Sequence, residues 1–238
     1  MTDALSGDTA VSRTLTDSRA RSHVRSRLAP TLGALGALCA ILALVGIWVI
    51  RLRFAAPAYV SELGGDGAPD AGWFAVALGT VALAGVLLGT ADVLRAREAR
   101  RLAPSGILGG ALLLGGLCLI VAGSAFLVAT VYPCTAGCPV PGSELHTARD
   151  TVHITAAISG FALVAIAMLI QAVSGVDRRS RVIAWASAAG VAVIAGVGGL
   201  LALAHVATNV GAWCELIATS IAILWCASRG FARRTPEP

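Results

Sequence analysis

Apolar residues fall into six long blocks separated by short polar segments. The blocks cover residues 28–50, 71–94, 104–131, 151–173, 182–204 and 209–228. About 20 apolar residues suffice for a helix to cross the hydrocarbon core of a bilayer. Strands of a membrane barrel are shorter and alternate in polarity, which these blocks do not. The pattern predicts an all-α fold, a polytopic bundle of six transmembrane helices.

The polar segments set an orientation. Fifteen of the eighteen basic residues lie within 13–27, 95–101, 178–181 and 229–234, leaving only Arg51, Arg53 and Arg149 on the other side. Cationic loops stay in the cytoplasm, so both termini are expected there, in a multi-pass protein of the cell membrane. The outer segments are then about 51–70, 132–150 and 205–208. Trp48, Trp73 and Trp213 fall near outer ends and Trp185 and Trp225 near inner ends, as expected of indoles in the interfacial belt. Residues 1–27 are rich in Ser, Thr, Asp and Arg and read as a disordered cytoplasmic tail. Residues 229–238 form a second, short cytoplasmic tail. The polar stretch before the first block, and the block itself, are both too long for a cleaved signal peptide.

Composition excludes a water-soluble globular domain. Apolar residues make up 57% and charged residues 13% of the 238, and the mean hydropathy is +0.81. Soluble domains carry about twice that charge. The net charge of +5 comes entirely from arginine, in short loops without the clustering a nucleic-acid surface needs. The lipid bilayer, not nucleic acid, is the expected partner. Gly85 and Gly89 form a small-xxx-small step, as do Gly106 and Gly110, and Gly190, Gly196, Gly198 and Gly199 crowd the fifth block. Such steps let helix backbones approach closely; packing within the bundle is the first reading and homodimerisation the second.

Cys39, Cys118, Cys214 and Cys226 lie in or at apolar blocks and read as small hydrophobes. Cys134 and Cys138 differ. They sit in an outer loop with Pro133, Gly137 and Pro139, residues that make tight turns. Facing an oxidising compartment, they read as a structural disulfide. A redox-active pair, metal ligation and free thiols are the alternatives.

The same loop leads into His146, Asp150 and His153, at i, i+4 and i+7. On a helix starting near His146 they share one face. His205 ends the fifth block, and Glu215 lies roughly 10 Å inside the sixth at 1.5 Å per residue. An intramembrane carboxyl is costly and points to function. The expectation is that His146, Asp150, His153, His205 and Glu215 converge on one outward-facing pocket. Such a set suits zinc with an open position, or proton transfer; His153 and His205 are also candidate axial ligands for haem. The plainer reading makes Glu215 a hydrogen-bonding group between helices, His146 and Asp150 headgroup-level residues and His205 a turn residue. Asp92, with Arg95 three residues on, reads as an interfacial ion pair, and Arg51 and Arg53 as snorkelling cations or contacts for a lipid phosphate.

The run Tyr132-Pro133-Cys134 through Gly137-Cys138-Pro139, then His146, His153 and Phe161, resembles the domain-of-unknown-function 998 family. The Gly211-to-Trp225 stretch is similar to that family's last helix. Thr135 stands where its members often carry an acidic residue. The resemblance implies a six-span membrane fold and an outer-face site, and no particular chemistry.

Walker A loops, dinucleotide glycine fingerprints, H-E-x-x-H and G-x-S-x-G are all missing from the sequence. Three function classes remain. One is an accessory protein that binds lipid or a membrane partner through its outer face. Another is an intramembrane enzyme acting on a lipid or isoprenoid-like substrate through His146, Asp150, His153 and Glu215. The third is a haem or redox protein.

Overall fold

The computed structural model describes the backbone from Leu5 to Phe231, apart from residues 56, 105, 176 and 205, and the side chains from residue 28 to 230 with the same four omitted. Six α-helices follow in order: α1 Leu5–Arg53, α2 Ala71–Leu102, α3 Ile107–Val131, α4 Ala148–Ser174, α5 Arg178–Leu203 and α6 Thr208–Phe231. A 3₁₀ turn, Ser61–Gly64, lies between α1 and α2. There are no strands among the described residues. All six helices are long and apolar enough to cross a membrane.

Local chemistry sets the helix ends. Pro104 and Pro133 follow the ends of α2 and α3 by two residues, and the residue before a proline disfavours helical backbone. Thr147 and Asp150 form a reciprocal capping box at the start of α4. At the start of α5, Asp177 accepts from Ser180 N at 2.8 Å. Two helices exceed their apolar blocks. Helix α2 runs on to Leu102 through Arg95, Arg97, Arg100 and Arg101, because hydropathy marks where hydrocarbon ends and arginine is a good helix former. Helix α1 extends back to Leu5, where an unstructured tail was expected; an existing helix propagates without a new nucleus. The side chains of that tail, and most of the C-terminal one, lie outside the described residues.

Neighbours in sequence pack as neighbours in space, α1 on α2 through to α5 on α6, and α6 returns to α1 to close a ring. Outward-facing side chains such as Leu42, Leu83 and Leu200 are at least half exposed, a surface suited to hydrocarbon rather than water. Trp225 is an exception to the expected belt. It is 2% exposed, packed in the core with Leu119 and Met168, with the Arg229 guanidinium 4.8 Å from its ring centroid. That arginine also joins α6 to Asp92 of α2 and Gln171 of α4, while Arg95 donates to Asp92 at 3.1 Å. The expected Asp92–Arg95 pair is thus part of a larger clasp at this end of the ring.

Helices α2 and α3 touch backbone to backbone. A Cβ on Gly116 would lie 2.7 Å from Gly89 O, and one on Gly123 would lie 2.6 Å from Ala82 O. Gly89 is as tightly opposed by Gly116 O. The Gly85–Gly89 step therefore packs within the bundle. The Gly106–Gly110 step does not: Gly106 caps α3 and Gly110 has no neighbour within 4 Å. We expect Gly89→Val to force α2 from α3 at a cost of about 1–3 kcal/mol, read as a lower thermal midpoint in detergent. Gly110→Ala, at an open site within the helix, should not lower the midpoint and should raise it slightly.

Candidate functional site

The connections 54–70 and 132–147 meet at one end of the ring. In the second, Cys138 N donates to Thr135 O at 2.9 Å, closing a turn in which Gly137 has φ +75°. That turn brings the sulfurs of Cys134 and Cys138 to bonding distance, so the pair forms the expected disulfide. The loops are tied to each other. Asp66 N donates to Cys134 O at 3.1 Å, Cys134 Sγ lies 3.5 Å from Ser61 O, and Arg149 pairs with Asp66.

Two carboxyl groups, Asp150 buried and Glu215 half-buried against the cavity, anchor this double loop to the helices. Asp150 is fully enclosed and accepts from Thr135 N at 2.7 Å, Thr147 N at 2.8 Å and the hydroxyls of both threonines. Its oxygens are saturated by one loop. Glu215 holds the other loop. Its Oε2 accepts from Val60 N at 2.7 Å, and the carboxyl also takes the Ser61 N–H. These are the first amides of the 3₁₀ turn, which have no acceptor within it.

The expected five-residue convergence is only partly realised. His146 precedes α4, because Thr147 is the cap and a capping residue is not helical. It therefore does not share a helical face with Asp150 and His153. Its ring bridges Pro139 O at 2.7 Å and Thr151 Oγ1 at 2.8 Å. His205 lies outside the described residues. His153 is 4% exposed, and its Nδ1 sits 3.0 Å from both Ala129 O and Tyr132 O. Two carbonyl partners make Nδ1 a donor. His153 and Glu215 are brought to one cavity; Asp150 and His146 belong to the loop scaffold.

That cavity, of about 80 Å³, lies at the centre of the ring under the 54–70 loop. Helices α1, α2, α3, α4 and α6 form its walls, and Val60 and Ser61 belong to its roof. The walls are apolar almost throughout. The polar side chains are Ser61, His153, Glu215 and Thr219. Thr219 is buried, and its hydroxyl has no hydrogen-bond partner. A lone threonine in an apolar helix normally bonds the carbonyl four residues back, so only the structure reveals the orphan.

Metal and haem chemistry meet this geometry differently. A ring nitrogen of His153 and the sulfurs of Cys134 and Cys138 lie within 4.8 Å of one another. Thiolates bind metal, and here the sulfurs are joined as a disulfide. Zinc would thus need this pair reduced. A haem does not fit the cavity, since cofactor sites occupy roughly 300–1,000 Å³.

Beside the roof, Arg51 is buried with its guanidinium 5.2 Å from the Trp213 ring centroid. Burial pushes the Glu62 carboxyl up from its ordinary value, against the Tyr59 N–H and the Arg51 charge. Burial also raises the Tyr59 phenol, with the Glu215 and Glu62 carboxyls adding to it. Comparison of the chain with protein-family models, curated proteins and solved structures gives no match.

A raised carboxyl destabilises the folded protein when ionised and ceases to do so once protonated. Glu62→Gln should therefore raise the thermal midpoint at pH 7. The advantage over the wild type should shrink as pH falls through the carboxylate range, measured as a midpoint difference across a pH series.

Proposed function

We propose that the chain is an accessory protein of the cell membrane that takes a short apolar segment of a lipid-like molecule, a few carbon atoms long, into its central cavity. The observation that carries this reading is the cavity itself: apolar walls from five helices, a few polar groups and a loop roof. Ligand sites have this composition, mostly apolar with a small number of placed polar groups. Membership of the domain-of-unknown-function 998 family is part of the proposal and rests on the Tyr132-to-Pro139 motif with His146 and His153. The enzyme reading is weaker, because Asp150 and His146 are committed to the loops, leaving His153 and Glu215.

In this reading the roof faces outward and both termini are cytoplasmic, supported by the arginine asymmetry. Reporter fusions test the orientation. A cytoplasm-active reporter should work at either terminus, and an export-dependent one only within the loop at 140–146. An active export reporter at a terminus would reverse the assignment.

The binding claim is tested by native mass spectrometry of protein released from lipid nanodiscs. Wild type should carry one lipid-mass adduct that survives stripping of peripheral lipid. Ala157→Phe, which fills the cavity one turn beyond His153, should lose it while keeping its elution volume and thermal midpoint. Equal adducts in both proteins, or none in the wild type, would overturn the reading.

A further inference from the structure

We infer that a second site lies on the outside of the ring: a groove between α1 and α2 that seats one phospholipid with a primary-amine head of the ethanolamine kind. Arg53 takes its phosphate, Asp70 takes its ammonium, and one acyl chain lies along the two helices. This site is separate from the central cavity and stands without it. The groove has a volume of about 370 Å³, within the roughly 300–1,000 Å³ of small-molecule sites. Its lining runs along α1 from Arg53 to Leu42 and along α2 from Asp70 to Thr80. Each stretch is about 15 Å long at 1.5 Å per residue, half of a hydrocarbon core about 30 Å thick. The groove is therefore one leaflet deep.

Charge at the mouth selects the head. Arg53 and Asp70 both line it, with opposite signs. Neither side chain has a hydrogen bond or ion pair among the described residues. Asp70 stands at the capping position of α2, yet its carboxyl accepts no amide of the first turn. Two unpaired charges of opposite sign complement a head that carries both. The guanidinium fork matches a phosphate, and an ammonium offers the carboxylate charged N–H donors. A glycerol head brings no cation to Asp70, and a choline head has no N–H to donate. Trp73 lies beside this mouth at 70% exposure. Indoles settle at headgroup level, which is where phosphate and amine lie.

Below the mouth the groove suits hydrocarbon. Its floor is Gly46 against Ala77, where a Cβ on the glycine would stand 3.4 Å from that of the alanine. Small residues bring the two backbones together there. Leu42, Val49 and Val76 rise on either side, each close to half exposed. Thr80 donates its hydroxyl to Val76 O at 2.7 Å, so it leaves no open donor along the channel. An apolar channel open to the side fits a chain that never leaves the bilayer.

The test titrates the full-length protein in detergent with three dioleoyl phospholipids that differ only in the head: ethanolamine, glycerol and choline. Bound lipid is counted by native mass spectrometry, under activation gentle enough to keep peripheral lipid. The ethanolamine lipid should bind about fivefold more tightly than the other two. Arg53→Gln should weaken all three. Asp70→Asn should remove the preference for ethanolamine over glycerol. Val76→Trp, which crowds the channel from an exposed position, should weaken all three while keeping the thermal midpoint. The same preference should appear in Ala157→Phe, whose central cavity is filled, so failure of the cavity reading leaves this one intact. A preference present in the wild type and lost in Ala157→Phe would assign the lipid to the cavity and overturn the groove. Equal binding of all three heads to the wild type would overturn the head assignment, as would unchanged affinities in both Arg53→Gln and Asp70→Asn.

Discussion

Backbone amides that leave a helix at the edge of hydrocarbon must find acceptors, because an unpaired polar group there costs several kcal/mol. Here the side chains that meet this demand come from the helices. Glu215 of α6 accepts from the amides of Val60 and Ser61 and Asp150 of α4 from those of Thr135 and Thr147, while His153 of α4 donates to the Ala129 and Tyr132 carbonyls at the end of α3. With these groups in place, two irregular loops become a fixed roof. Acidic and basic groups inside a span are usually read as chemistry. In this protein most of that polarity is spent on holding loops in register.

The roof matters because the ring beneath it is not filled. Helices in lipid gain no hydrophobic drive from touching one another, and association depends on close contact between small side chains. Glycine supplies that contact between α2 and α3. On the inner wall smallness has the opposite result. Ala40, Ala84, Ala122, Ala129, Ala157 and Ala222 line the cavity, and alanine cannot reach across a ring of this diameter. The same composition thus brings neighbouring helices together and leaves space at their common centre.

Much of the fold was legible in the sequence, because a twenty-residue apolar run admits few structures other than a helix. The first α2 residue and the last of α3 fall where the apolar blocks predict. The disulfide was legible from Gly137 and the flanking prolines, and Asp92–Arg95 from its three-residue spacing. The capping box was there to be found in Thr147-Ala148-Arg149-Asp150, and would have put His146 outside the helix. Glu215 is anomalous in an apolar block, and the residue pattern points to histidines and acids as its partners. The partners it has are main-chain amides 155 residues away, and a backbone donor leaves no mark on a residue pattern. Ring closure by α1 and α6, the extension of the clasp to Arg229, and the orphaned Thr219 are products of three-dimensional packing alone.

The hydrogen bond from Val60 to Glu215 also bears on the order of assembly. The loop that needs the cap is made early in synthesis, and the helix that supplies it is the last of six. Chains emerge N-terminus first, so residues 54–70 must wait through the insertion of four further helices for their acceptor. Asp150, by contrast, follows Thr135 by only 15 residues. The second loop can therefore settle as soon as α4 is in place, whereas the first stays open until α6 arrives. Closure of the roof becomes a late event, coupled to completion of the ring.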